Sequence, residues 1–139
     1  MPDPVPPRNS AMAVAASALK AQQSRMRVIA ENIANAESTS QTAGGTPYRR
    51  QIPVFQARQI DGATGVTLAE VRPDMSDFRS EYDPSHPAAN AQGYVLRPNV
   101  DSLVEAMDMR EAQRAYEANL NVIETARSME SRTLDLLKK

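Results

Sequence analysis

Side chains that could carry out acid–base chemistry come together in one short segment, Asp83-Pro84-Ser85-His86-Pro87. His86 is the single histidine of the chain, and with Asp83 it offers the base and the carboxylate that a hydrolase uses. The two flanking prolines are typical of a turn, and a solvated turn histidine is the commoner explanation. No Gly-x-Ser-x-Gly, paired-histidine spacing or phosphate-binding glycine loop accompanies the segment. We therefore predict no enzyme, cofactor or metal site, with a hydrolase around Asp83 and His86 as the weakest alternative.

Basic side chains form two small clusters, Arg25 with Arg27 and the pair Arg49-Arg50. The chain has 16 Lys and Arg against 17 Asp and Glu, which gives no long-range attraction to nucleic acid. Two basic residues in a chain of balanced charge are usually a solvated face. The sequence thus predicts neither a nucleic acid nor a small-molecule substrate as partner.

The composition also bears on the compartment. There is no cysteine, so neither a disulfide framework nor a thiolate metal site is expected. No stretch approaches the ~18 consecutive apolar residues that a membrane helix needs. The first seven residues are dominated by proline and lack the basic and apolar regions of a secretory signal. If the protein leaves the cytoplasm, we expect a machine other than the secretory one to export it.

Glycine and proline divide the chain. All five glycines, and every proline after residue 7, lie between Gly44 and Pro98, which leaves a breaker-free arm on each side. We predict a mainly α fold with a small β insert, in which long N- and C-terminal helices form a coiled-coil-like pair. The predicted parts are a proline-rich tail (1–9), an N-terminal helical part (10–43), a loop and β-hairpin insert (44–98) and a C-terminal helix (99–139).

The insert carries strand periodicity. Apolar residues alternate in 52–54 and again in 66–68, on either side of a turn-rich stretch at 61–65, which predicts a β-hairpin. Pro53 lacks an amide hydrogen and so predicts an edge strand or a bulge. Residues 78–82 could add a short strand. The first helix is expected to run to about Ala36, and the last to begin at one of three caps: Asn99, Asp101 or Ser102.

Each arm carries apolar stripes at helical spacing. In the first arm the stripe has a seven-residue period and consists of Met12, Leu19, Met26 and Ile33. The second arm has two lines, one through Met109, Tyr116, Ile123 and Leu137, the other through Val122, Met129 and Leu136. The two arms can bury part of each other, but one partner helix is not expected to cover both lines. An aromatic-poor pair of this kind should be only marginally folded alone, so oligomerisation is expected.

Three asparagines stand out in these arms. Asn119 lies on a stripe of the second arm with three-four spacing that runs from Ala112 through Val122 and Met129 to Leu136. A buried amide there must find partners or cost a few kcal/mol, and such an amide can fix register. Asn32 and Asn35 either act in this way or mark a fraying helix end. The predicted subunit interface is formed by Leu19, Met26, Asn32, Ile33, Asn35, Met107, Tyr116, Asn119, Val122, Ile123, Met129 and Leu136.

The segment Ala30-Glu31-Asn32-Ile33-Ala34-Asn35-Ala36 resembles the N-terminal signature of flagellar axial proteins, the rod, hook and hook-associated proteins. Three further blocks narrow the resemblance to a subunit of the proximal basal-body rod. They are Pro47-Tyr48-Arg49-Arg50, Gly93-Tyr94-Val95 with Pro98-Asn99-Val100-Asp101, and the stretch Glu111 to Asn119. The short insert agrees with this, whereas the proline-rich start is a departure from the family pattern.

The resemblance implies a non-enzymatic subunit of the rod, the drive shaft that crosses the periplasm as part of the basal body. Its terminal helices would form the inner tubular layer. It would pass unfolded and uncleaved through the flagellar type III export apparatus. The implied partners are other copies of itself, other flagellar rod proteins and the adaptor between rod and membrane ring. A soluble helical-hairpin adaptor or export chaperone remains the alternative.

Overall fold

The computed structural model describes residues 8–138, so the proline-rich segment 2–7 lies outside the described residues. The elements follow in the order α1 (Arg8–Ala34), β1 (Gln51–Ile60), β2 (Ala63–Pro73), β3 (Arg79–Tyr82), β4 (Tyr94–Arg97) and α2 (Ser102–Leu137). The predicted fold class is confirmed: two long terminal helices flank a small antiparallel β region. Neither helix in the described part is long and apolar enough to cross a membrane.

The two helices pack against each other in antiparallel directions. Arg25 in α1 forms an ion pair with Glu111 in α2 at 3.5 Å, while Met12, near the start of α1, lies beside Met129, near the end of α2. Of the three candidate caps of α2, Asp101 is used. Its side chain accepts hydrogen bonds from the amides of residues 103 and 104, at 3.0 and 3.4 Å, which satisfies two of the free amides at the helix start.

Strands β1 and β2 form the predicted hairpin. The two-residue loop Asp61-Gly62 has φ angles of 49° and 82°, the pair of left-handed conformations that a type I′ turn requires. The register shifts between Val54 and Phe55, one residue after Pro53, so the proline lies close to a bulge in a two-stranded sheet. Strands β3 and β4 form a second two-stranded sheet.

Helix α1 is the middle layer between α2 and the hairpin. On the hairpin side, the Ser17 hydroxyl accepts a hydrogen bond from the Val66 amide at 3.2 Å. A Cβ on Gly65 would lie 2.7 Å from that hydroxyl oxygen, so a larger residue here would displace the Ser17 side chain. No Cα atom of β1 or β2 lies within 8 Å of a Cα atom of α2. The hairpin and α2 therefore lie on different sides of α1.

A smaller core joins the end of α1 to the second sheet. Its buried side chains include Ala36, Val95 and Val100. Arg79 and Arg97, which pair across β3 and β4, donate to the carbonyls of residues 36 and 37 at 3.4 and 3.2 Å. The second sheet is thus attached to the chain that leaves α1.

Candidate functional site

One side of α2 exposes a line of large apolar side chains, which we call the α2 outer line. Its members are 47% to 73% exposed and lie within about a third of the helix circumference: Leu103, Val104, Met107, Val122, Met129 and Leu136. The last three repeat every seven residues. Such a line is typical of a helix that packs against another helix.

A second apolar line of α2 faces α1, the one element among those described that α2 packs against. Ala112 is fully buried, and Met109, Tyr116 and Ile123 are half-buried. Leu137, expected on the same line, is 76% exposed because it lies at the last residue of α2, two turns beyond the level of Met12 and Met129. The sequence-based expectation that one partner helix leaves one line of α2 uncovered agrees with these exposures.

The α2 outer line borders a groove between the helix ends. A cleft of 470 Å³ opens there between α1 and α2, with Ala11 and Met12 on one side and Ala126, Met129 and Thr133 on the other. Because apolar side chains from both helices line it, the groove could receive an apolar side chain of another helix.

The structure places the twelve predicted interface residues in three environments. Five are exposed on the helix surfaces: Ile33, Met107, Val122, Met129 and Leu136. Six are half-buried: Leu19, Met26, Asn35, Tyr116, Asn119 and Ile123. Asn32 is buried, with 1% of its surface exposed. The twelve therefore do not form one surface, and the exposed five are those that another molecule can reach directly.

Asn32 ties the end of α1 to the start of β1. Its Oδ1 accepts from the Gln51 amide at 2.9 Å and from the Tyr48 hydroxyl at 2.7 Å, and its Nδ2 donates to the Gln51 carbonyl at 2.9 Å. Burial, together with the charges of Glu31 and Glu105, raises the pKa of Tyr48, so this donor stays protonated over the neutral range. The buried amide has its partners, and the fraying-end explanation is wrong for Asn32.

The other two asparagines make local bonds. Asn35 lies just beyond α1 and donates from Nδ2 to the Glu31 carbonyl at 2.8 Å. Asn119 donates from Nδ2 to the Ala115 carbonyl at 2.8 Å, one turn earlier on the same helix. Neither bond crosses to another element.

Sequence reasoning missed a polar cluster at the base of the hairpin, which we call the Arg50 cluster. It consists of Arg50, Asp74, Asn99, Glu105 and Asp108. Arg50 donates from Nε to Glu105 Oε1 and from a terminal nitrogen to Asp74 Oδ2 at 3.1 Å, and its other terminal nitrogen lies 3.9 Å from Asp108 Oδ2. The Arg50 side chain is 24% exposed and that of Glu105 only 1%. The expectation that Arg49-Arg50 forms a solvated face is wrong for Arg50.

Its neighbour Arg49 is also engaged. The guanidinium lies 4.1 Å from the centre of the Phe78 ring and donates to the carbonyls of Asp74 and Ser76 at 2.8 and 2.9 Å. The acidic side chains that hold Arg50 lie 24 or more positions away in the sequence, so local charge spacing carries no signal for them.

The pKa shifts in the cluster have identifiable causes. Burial lowers the pKa of Arg50, but the hydrogen bond and charge of Glu105, and then those of Asp74, raise it more, so the guanidinium remains charged. The pKa of Asp74 is lowered, first by the hydrogen bond from the Ser76 amide and, against the effect of burial, by the Ser76 hydroxyl and Arg50. One oxygen of Glu105, Oε2, is buried without a hydrogen-bond partner. The cluster therefore favours the charged forms of Arg50 and Asp74.

The candidate hydrolase residues lie in a turn. His86 Nδ1 accepts from the Ala88 amide at 3.0 Å, while Asp83 Oδ1 accepts from the Ser85 hydroxyl at 3.0 Å. The two side chains are thus engaged separately, in bonds that hold the turn. Within residues 8–138, no group of three or more potential metal ligands is arranged to hold an ion.

The two family profiles that match this chain fall largely on its terminal helices. The family described as "Flagella basal body rod protein" matches residues 12–40, and "Flagellar basal body rod FlgEFG protein C-terminal" matches residues 91–136. The long antiparallel helices, the α2 outer line and these matches define the class: a flagellar basal-body rod protein.

Comparison with individual relatives identifies one family within this class. The flagellar basal-body rod protein FlgC of Agrobacterium fabrum is 46% identical over 135 residues, which cover 95% of this chain and 96% of that protein. FlgC of Escherichia coli is 42% identical over 125 residues, covering 88% and 92%, and FlgC of Bacillus subtilis 38% over 142, covering 90% and 95%. The chain belongs to the FlgC family of flagellar basal-body rod proteins, a family of structural rod components.

Proposed function

We propose that this chain is a structural subunit of the proximal flagellar rod, which polymerises through its terminal helices and transmits motor torque across the periplasm. The observation that carries the proposal is the α2 outer line, which the chain leaves exposed after its own helices have paired. Membership of the FlgC family supports the assignment to the rod.

Exposure of this line has a free-energy consequence. Burial of one large aliphatic side chain is worth about 1.5–3 kcal/mol, so a neighbour that covers Val122, Met129 and Leu136 gains several kcal/mol. An exposed apolar patch of this kind marks a protein–protein contact more often than it marks free surface. The seven-residue repeat fits a helix of a second copy, or of a related rod protein, as the covering element.

The predicted interface residues have different roles in this proposal. The exposed five contact neighbouring subunits directly. The half-buried apolar residues Tyr116 and Ile123 help to hold the two helices together, Asn35 and Asn119 make local bonds, and Asn32 acts inside the subunit by fixing β1 to α1. Repeated packed contacts of this kind resist shear, because close-packed surfaces deform little.

The wider setting follows from the same proposal. The partners are other copies of this chain, the other rod proteins, the adaptor between rod and membrane ring, and the type III export apparatus that delivers the chain without cleavage. The site of action is the periplasmic part of the basal body. The chain carries out no reaction there, and the turn at His86 has a structural role.

Fractionation tests the proposal. A tagged chain that restores swimming to a strain lacking its own copy should be recovered in purified basal bodies in a fixed ratio to the other rod proteins. Recovery in the cytosol alone would favour the adaptor or export chaperone instead. His86→Ala in the same strain should leave swimming unchanged, and loss of swimming with normal incorporation would reopen the enzyme alternative.

A further inference from the structure

Direct contacts between the hairpin and α2 are made by side chains. No Cα atom of either hairpin strand lies within 8 Å of α2, because α1 separates them. The Arg50 cluster bridges this gap at the base of the hairpin, where Arg50 immediately precedes β1 and Asp74 immediately follows β2. The Asp74 amide donates to the Arg50 carbonyl at 2.8 Å, so the two strand ends are themselves joined.

On the other side of the bridge are residues of α2 and of the segment before it. Glu105, in the first turn of α2, accepts from Arg50 Nε, and Asp108 lies one turn further along. Asn99 precedes the helix. Its Oδ1 accepts from the Arg50 amide at 2.7 Å, and its Nδ2 donates to the Asp74 carbonyl at 2.9 Å. One guanidinium and one amide thus connect both feet of the hairpin to the start of α2.

We infer that Arg50 is a positioning residue that couples the β1–β2 hairpin to α2, so that load applied to the hairpin reaches the helix through this cluster. The inference rests on the proposed function, since it assigns the cluster a place in torque transmission. An arginine suits the task because its planar fork can hold several carboxylates at once in fixed directions, which a lysine cannot do. The near-complete burial of Glu105 shields its bond to Arg50 from competing water.

The test separates coupling from stability. The double variant R50M/E105M replaces the pair with apolar side chains of similar size, so that Glu105 is not left as a buried unpaired charge. Asp74 loses its ion pair but keeps the hydrogen bond from the Ser76 amide, and Asp74 and Asp108 are both partly solvated, so folding should be preserved. The matched control is R25M/E111M, which removes an ion pair between α1 and α2 that does not involve the hairpin. Both variants are assayed for recovery in basal bodies and for swimming in media of increasing viscosity.

We expect both variants to be incorporated like the wild type. Cells with R50M/E105M should stop swimming at a viscosity at which wild-type and R25M/E111M cells still swim. Equal load tolerance of the two double variants would overturn the role of Arg50. If R50M/E105M is not incorporated into basal bodies, the single variant R50K is compared with the wild type and R25M/E111M in the same swimming assay. Wild-type load tolerance of R50K, or its failure to be incorporated, would also overturn the role. Absence of the wild-type chain from basal bodies would instead refute the proposed function itself.

Discussion

The side-chain amide of Asn32 pairs with the backbone of Gln51 much as a neighbouring strand would, with one donated and one accepted hydrogen bond, each 2.9 Å long. This pairing lies where α1 ends and the hairpin begins, between residues 19 positions apart. The first strand is therefore held to the helix by an amide that the chain buries almost completely. Asn32, the first of the two asparagines in the signature segment 30–36, thus has a defined structural role in this chain.

Asn32→Ala should loosen this junction. The change leaves the amide and carbonyl of Gln51 and the hydroxyl of Tyr48 without their partner, at a cost of about 3 kcal/mol. We expect trypsin to cleave the variant faster after Arg49 and Arg50 in isolated basal bodies, as followed by the appearance of the two fragments.

Asn35→Ala is the matched control for that prediction. Its amide bonds only to the Glu31 carbonyl of its own turn, so removal should cost little and leave the cleavage rate close to wild type. Equal protection of the two variants would show that the Asn32 bonds do not hold the junction.

Met129→Asp should prevent assembly without weakening the contact between the two helices of one subunit. Met129 is 65% exposed within a subunit, so an aspartate there is solvated until a neighbour covers it, when burial of an unpaired carboxylate would cost several kcal/mol. Recovery of the variant in basal bodies should be lost while it is still made and exported. Ser131→Asp places the same charge on a different, exposed side of α2 and should be incorporated normally. If both variants assemble, the α2 outer line is not an interface.

Ile123→Asp should fail for a different reason. Ile123 is half-buried on the side of α2 that faces α1, so the charge disrupts the subunit before any neighbour is involved. We expect loss of swimming, as for Met129→Asp, but with faster degradation of the chain in the cell, measured as its half-life after synthesis is stopped. Normal swimming would count against the assignment of this residue to a dry seam.

The arms and the hairpin were predictable because their signals are local. Apolar stripes without glycine or proline indicate helices, and alternating apolar residues indicate strands. The exposure of Val122, Met129 and Leu136 follows because the second arm has two apolar lines and one partner helix covers only one of them. The cap of α2 could not be chosen in advance, since Asn99, Asp101 and Ser102 all have suitable side chains. The structure resolves the choice by using Asn99 in the Arg50 cluster and Asp101 at the helix start.

The Arg50 cluster could not be predicted from the sequence, for a physical reason. Its acidic residues follow β2 directly or lie in the first turns of α2, up to 58 positions from Arg50, so only the packing of the whole chain brings them together. Charge balance then misleads, because it predicts a solvated arginine wherever no acid is near in sequence. Asn32 was a partial exception, since an asparagine at helical spacing near apolar residues already raised the question of a partner.

Acid should weaken the hairpin base through Asp74. Because its pKa in the folded chain is below the reference value of 3.8, its charged form stabilises the fold above that pH. This contribution is lost as the pH falls from 3.8 through the lower folded-state pKa. The measurement is cleavage of basal bodies by pepsin, which is active in acid, made directly at each pH in that range. For Asp74→Asn, which cannot titrate, the rate of cleavage near the base of the hairpin should depend less on pH than for the wild type. The nearby exposed Asp77→Asn controls for loss of one surface charge. An unchanged pH dependence in Asp74→Asn would contradict the assignment.

The isolated chain should be poorly helical. Among the described residues, the fully buried apolar side chains are five alanines, three valines and one isoleucine, while leucines and methionines of α2 stay exposed. Burial of so little apolar area barely offsets the conformational entropy that is lost when two long helices form. Neighbouring subunits that cover the exposed apolar lines add further burial. Circular dichroism at 222 nm should therefore show low helicity for the purified chain and a rise on mixing with other rod proteins. A sharp thermal transition of the lone chain that does not depend on concentration would contradict this, because the subunit would then bury enough apolar surface by itself.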